Sequence, residues 1–318
     1  MEDHFRAVFF ALLLALATPF ASAQTPLRII VGFPPGATSD TMTRAIAEGM
    51  RATFDRPIII ENRPGGGGLA GALFVKAAPP DGNTLLMSPF GTMLQPHSIR
   101  AAAFNPLTDF VPVTQLSTFD IAFAIGPNVP AASLQEYVAL VKKEPKRGDF
   151  ASAAAGSLPH FFALMFARSA GIELLHIPYK GTAPAITATL AGEVSLLSTT
   201  SADIGAQVKS GKLHALAVSS AKRSPVLPDT PTLRELGYNI EGSAWYGLLA
   251  PPKTPPEVVG KLNAAFVAAI KSAAVAERLR TLGVEPTGTG TGEFAAILKN
   301  DYERWGAVIR ASGFKADE

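Results

Sequence analysis

Few residues in this chain have the type and spacing to do chemistry, and the strongest group uses its backbone. Val31-Gly-Phe-Pro-Pro-Gly-Ala-Thr-Ser-Asp40 follows an apolar run, Leu27–Val31. It opens an amphipathic stretch in which Met42, Ile46, Met50 and Phe54 recur at intervals of four. A strand that turns through Pro34-Pro35-Gly36 into a helix leaves the first N–H groups of that helix pointing outward. Those donors, together with the positive end of the helix dipole, make an anion site that needs no charged side chain. Asp40 and Arg44, four apart, read as a surface ion pair. Asp40 is equally placed to accept N–H groups of the loop itself. A second segment, Phe150-Ala-Ser-Ala-Ala-Ala-Gly-Ser157, repeats the plan of apolar start, small residues and capped helix. Two such loops facing across a cleft suit a dicarboxylate, or one carboxylate held from both sides.

The rival constellations are weaker. Gly66-Gly-Gly-Leu-Ala-Gly71 fits the dinucleotide pattern G-x-G-x-x-G, but Glu61-Asn-Arg-Pro64 stands between it and the preceding strand. That fingerprint needs its turn directly after the strand, so a turn with close helix packing is expected and no cofactor. Ser157 lies three residues before His160, with Asp203 further on, the residue types of a hydrolase triad. There is no G-x-S-x-G elbow, and Ser157 ahead of Pro159 reads as a helix N-cap. No catalytic residue is assigned. His4, His97, His160, His176 and His214 are scattered and the chain has no cysteine, so no metal site is expected either.

The elements that must position these loops alternate along the chain. Strand-like runs fall at Leu27–Val31, Pro57–Ile60, Thr84–Met87, Ile121–Ile125, Leu174–Ile177, Val194–Leu197 and Leu213–Val218, with helical spacing between them. Ser133-Leu-Gln-Glu136 reads as a capping box, Thr230-Pro231 and Thr254-Pro255 as helix starts, and Thr287–Gly292 as a surface loop. Such alternation predicts α/β architecture, with mostly parallel sheets flanked by helices. The chain is expected to cross between two lobes near Phe119–Ile125 and again near Trp245–Pro252. Arg6, the apolar run Ala7–Ala17 and Ala21-Ser-Ala23 predict a signal peptide over residues 1–23. Its removal leaves 27 of 28 basic and 24 of 26 acidic residues, a net +3 with no basic cluster. That excludes nucleic acid as an expected partner. An exported, soluble protein without disulfides must rely on its core, which about 295 residues can supply.

The chain resembles the periplasmic receptors of tripartite tricarboxylate transporters, the Bug family. The resemblance runs through Phe33-Pro-Pro-Gly36 with Asp40, Glu61-Asn-Arg-Pro-Gly65, Pro80-Asp-Gly82, Gly156-Ser157 with His160, and His176-Ile-Pro-Tyr-Lys-Gly181. It continues through Gly211-Lys212, Arg223-Ser-Pro225, Pro231-Thr-Leu233, Trp245 and Ala250-Pro251. It implies a two-lobed type II periplasmic binding protein of the Venus-flytrap kind, with two crossover strands as hinge. The lobes are then 24–122 with 247–318, and 123–246. In the family the ligand carboxylate is held by backbone N–H groups and waters of two loops, here Phe33, Pro34, Pro35, Gly36, Ala37, Thr38, Ser39 and Asp40, and Ser152, Ala154, Gly156 and Ser157. Ser88, Gly91 and Thr92 also line the cleft by resemblance, and Thr199 stands where the family often has an acid or amide. Ala37 and Ala154 stand where glycine is usual. If position 37 needs positive φ, alanine is strained there. The implied protein is a monomeric receptor of a small carboxylate (a di- or tricarboxylate, an acidic amino acid or an aromatic acid) with no cofactor. It would serve a membrane transporter, or alternatively signal to a sensor kinase.

Overall fold

A computed structural model describes residues 25–99 and 102–314, so the leader expected at 1–23 lies outside the described residues. The first sheet is built on β1 (Leu27–Val31), in which Leu27, Ile29, Ile30 and Val31 are fully buried. Burial on both faces suits a strand between parallel neighbours and under helices on two sides. β2 (Ile58–Asn62) and β3 (Thr84–Pro89) flank it in parallel, with Ile29 opposite Ile60 and Leu85. The connections are α1 (Thr38–Met50) and α2 (Leu69–Lys76), and α3 (Phe90–Leu94) follows β3. Then β4 (Val111–Phe119) runs straight into β5 (Ile121–Ile125) of the second sheet, with Asp120 alone between them.

The second sheet is laid down by α4 (Leu134–Lys143), β6 (Asp149–Ser152), α5 (Leu158–Ala170), β7 (Leu175–Pro178), α6 (Thr182–Ala191), β8 (Leu196–Thr200), α7 (Ser201–Lys209) and β9 (His214–Val218). The chain returns through residues 219–243 to β10 (Ala244–Ala250). It ends with α8 (Pro256–Lys271), α9 (Ala273–Thr281), β11 (Glu285–Pro286) and α10 (Thr291–Ser312). Strand order is β11-β4-β10-β3-β1-β2 in one sheet and β7-β6-β8-β5-β9 in the other. In each sheet four strands share a direction. The strand that has just crossed from the other lobe, β10 or β5, inserts antiparallel between two of them. The sheets are therefore mixed: the antiparallel members are the strands that have just crossed, together with the short edge strand β11 beside β4.

The crossings are tied to each other. Ser219 N–H donates to Ile121 O at 2.8 Å, and Ile121 N–H donates to Ser219 Oγ at 3.0 Å. Ser219 Oγ in turn donates to Gly242 O, and Gly242 N–H returns to Ser219 O at 2.9 Å. The Asp120 carboxylate accepts from the hydroxyls of Ser201 and Ser224. Away from the hinge the lobes also meet through aromatic packing on α10. Trp305 packs edge-on against Phe162 of α5 at 4.8 Å and against Phe90 of α3 at 6.4 Å. Trp245 of β10 lies 5.0 Å from Phe90 and donates to Asp301 of α10.

Several local expectations shift. Ser133 caps α4 as read, accepting from Glu136 N–H, while the Glu136 carboxylate accepts from Ala132 N–H. Thr254 is not a cap: its hydroxyl turns back to Pro251 O and α8 starts at Pro256. No helix follows Pro231; Thr232 and Glu235 instead close a reciprocal hydrogen-bonded turn. The Thr287–Gly292 run is not a free surface loop, because Thr289 is buried and bonds Gln115 and Asn263.

Behind β6 a column of rings stacks in the order Phe150, His176, His160 and Phe161, with the two imidazoles 4.0 Å apart and nearly parallel. Burial pushes both imidazoles down to about 4, and for His160 the neighbouring His176 adds to the effect. The folded state thus binds fewer protons than the unfolded chain between pH 6.5 and about 4, so stability falls as pH drops through that window. Asp120 and Asp301, pushed up by burial, act in the opposite direction. We expect the melting temperature to decline from pH 6.5 towards 4.5, and His160→Asn with His176→Asn to flatten the decline. An equally steep fall in the double variant would remove the imidazole stack as its cause.

Candidate functional site

The first loop is ordered by one carboxylate. Asp40 is 3% exposed and accepts from Gly36 N–H at 2.9 Å, Asn62 Nδ2 at 2.9 Å and Arg44 Nε at 3.0 Å. Asn62 Nδ2 also reaches Phe33 O, so β2, the loop and α1 meet at this group. Both readings of Asp40 hold, although the pair with Arg44 is half-buried rather than on the surface. Burial pushes the Asp40 carboxyl up, but the bonds from Arg44, Gly36 and Asn62 outweigh it and hold it below its usual range. The left-handed residue is Gly36, at φ +84°; Ala37 is extended at φ −63°, ψ 156°. The strain considered for Ala37 is therefore absent, since the turn places its positive φ one residue earlier.

Hydrogen-bond geometry separates the two loops. Ala37, as N-cap of α1, has no side chain to offer, and the N–H groups of Thr38, Ser39 and Asp40 find no acceptor among the described residues. Ser39 adds a buried hydroxyl with no partner there. The second loop spends more of its polar groups on itself, and of the first three positions of α5 only Leu158 has an N–H without an acceptor among the described residues. Ser157 caps α5 by accepting from His160 N–H, Pro159 has no N–H, and Gly156 N–H donates to His160 Nδ1 at 3.1 Å. The Ser157 hydroxyl donates to Ala154 O, and the Ser152 hydroxyl lies against Ala154 O and His176 Nε2. Asp203 is bonded to Thr199 and Thr200 rather than to His160, so no serine–histidine–aspartate relay forms. No group of three or more potential metal ligands occurs among the described residues.

A cleft with about 1130 Å³ of empty space opens between the lobes. Of the residues expected at the site, Phe33, Gly91, Thr92, Ala154, Gly156 and Ser157 line it. Pro34, Pro35, Gly36, Ala37, Thr38, Ser39 and Asp40 are not part of its wall, but belong to the loop that leaves from Phe33. Ser88, Ser152 and Thr199 are buried beneath the surface. The wall also contains Gly66, Gly67, Gln95, Phe119 and Phe314, which sequence reasoning did not place there. For the glycines a signal existed. Gly66, Gly67 and Gly68 all have positive φ, and a Cβ on Gly32 would come within 2.7 Å of the Gly68 Cα. This close approach requires glycine. Thr92 Oγ1 and Gln95 Nε2 pin the carbonyls of Gly66 and Gly67, so the turn is a fixed wall and not a flexible one. Phe314 carried no local signal, because it reaches the cleft only through the whole length of α10.

The family model for the tripartite tricarboxylate transporter family receptor matches residues 42–314. The BugT protein of Bordetella pertussis is 31% identical over 91% of this chain and 90% of its own. Among solved structures, MatC from Rhodopseudomonas palustris with bound malate superposes with a TM-score of 0.75 at 31% identity, covering 89% of this chain and 98% of that one. A second R. palustris protein, solved with adipate, gives a TM-score of 0.80 at 28% identity over 92% and 99% of the two chains. A match of this extent, on a mixed two-sheet fold whose crossovers form a hinge, places the chain in the tripartite tricarboxylate transporter receptor (Bug) family.

Proposed function

We propose that the protein is a periplasmic receptor that captures a small carboxylate and delivers it to a membrane transporter. On this reading it is a binding protein and not an enzyme, is exported by a leader ending near Ala23, and works as a soluble monomer without cofactor. The observation that carries the proposal is the N-terminus of α1, where three N–H groups and a buried hydroxyl lack acceptors in a loop leaving from the cleft wall. A helix N-terminus of this kind favours an anion without any basic side chain. Support also comes from the carboxylates, malate and adipate, bound in two relatives. The family description favours a transporter over a sensor kinase as partner. The proposed lobes, 24–122 with 247–318 and 123–246, would close by rotation about the Asp120 and Ser219 crossings.

Two measurements test this reading. Asp40→Ala frees the Gly36 and Asn62 donors and should weaken carboxylate binding about tenfold, equivalent to about 1.4 kcal/mol, with the fold retained. Lys180→Ala, an exposed cation outside both loops, should leave affinity within about twofold. Calorimetry that reversed this order would transfer the anion from backbone donors to a side-chain cation. Small-angle scattering should show a smaller radius of gyration at saturating ligand. An unchanged profile would remove lobe closure.

A further inference from the structure

The cleft wall carries no charged side chain. Thr92 Oγ1 and Gln95 Nε2 are engaged with the glycine carbonyls, and Ser157 with Ala154 O and His160 N–H, which leaves the Ser98 hydroxyl and the buried acceptor Gln95 Oε1 without partners among the described residues. The remainder is apolar, and three phenylalanines reach it from three separate elements. Phe33 follows β1, Phe119 ends β4, and Phe314 follows α10. Phe314 spans the lobes, lying edge-on to His160 at 5.3 Å and to Phe161 at 5.6 Å. It rests on Gly156, where a Cβ would come within 2.7 Å of its ring.

We propose that the cleft selects an aromatic monocarboxylate, with its single carboxylate at the N-terminus of α1 and its ring against Phe33, Phe119 and Phe314. The inference rests on the carboxylate-receptor reading and names the ligand class within it. The two ends of the site differ in capacity. At α1, three N–H groups are free and Ser39, 4% exposed, holds a hydroxyl without a partner among the described residues. At α5 the first three helical positions offer one such donor, Leu158 N–H, because Pro159 has none and the Ser157 cap takes His160 N–H, while Gly156 N–H is taken by His160 Nδ1. A second carboxylate would be desolvated against phenyl rings and the Gln95 Oε1 acceptor, a cost that an uncharged ring avoids. Ring edges and faces from three directions reward a flat aromatic body beyond simple area burial.

The test is calorimetry of the mature chain with benzoate, phenylacetate, adipate and malate as probes. Benzoate or phenylacetate should bind at least about tenfold tighter than adipate and malate. Phe314→Ala should weaken the aromatic acids by about tenfold and the aliphatic diacids by less than about twofold. Phe314→Leu, which keeps most of the apolar volume, should fall between and guards against a folding defect. Adipate or malate binding as tightly as either aromatic acid overturns the inference and leaves the receptor reading standing. An equal loss for all four acids in Phe314→Ala overturns the aromatic wall. Failure of all four to bind overturns the inference, and extending the panel to citrate and glutamate decides the receptor reading, which falls if these also fail to bind.

Discussion

One buried carboxylate organises the region on which function depends. Asp40 gathers a backbone donor from its own loop, an amide from the neighbouring strand and a guanidinium from the next helical turn. Each partner comes from a different piece of local structure, so the carboxylate fixes their relative positions as well as its own. By accepting Gly36 N–H it also removes from the anion site a donor that would otherwise point elsewhere, leaving the three helix-start donors aligned. The stabilising bonds outweigh the burial penalty, which is the condition under which a buried charge can be kept.

The second loop is supported differently. Its backing is the ring column of Phe150, His176, His160 and Phe161, in which His160 Nδ1 accepts from Gly156 N–H and His176 Nε2 hydrogen-bonds the Ser152 hydroxyl. His160 Nδ1 takes Gly156 N–H while its own backbone N–H meets the Ser157 cap, so a single residue consumes two of the loop's donors. The outcome is a loop whose serine hydroxyls and helix-cap donor are turned inward on the loop itself. The two lobes thus contribute unequal halves, one presenting donors and the other a surface.

What the sequence made legible follows from how local the cause is. β1, β5 and the Ser133 and Ser157 caps are written in short runs of residues, and they appear where those runs place them. The Gly36 turn and Asp40 were equally readable, because both act within five residues. β4 and the insertion of β10 between β3 and β4 were not, since strand order depends on partners more than a hundred residues apart. Thr254-Pro255 misled because proline at N1 and proline one residue earlier look alike in sequence, and Pro256 supplies the true start. Phe314 was invisible for the same reason as β10: its place is set by the packing of Trp305 on Phe162 and Phe90, two turns back along α10.

Ser219 has a mechanical consequence. Its backbone and hydroxyl fasten the outgoing strand at Ile121 to the returning segment at Gly242, so neither crossing can slide past the other. On the proposed closure, the lobes would pivot about an axis near that clasp. A pivot turns a small angular change at the hinge into a displacement proportional to distance from it. Substitutions around the clasp would therefore set the gain of the motion without altering a single atom that meets the ligand. Occupancy and amplitude can then be tuned by separate sets of residues in the same chain.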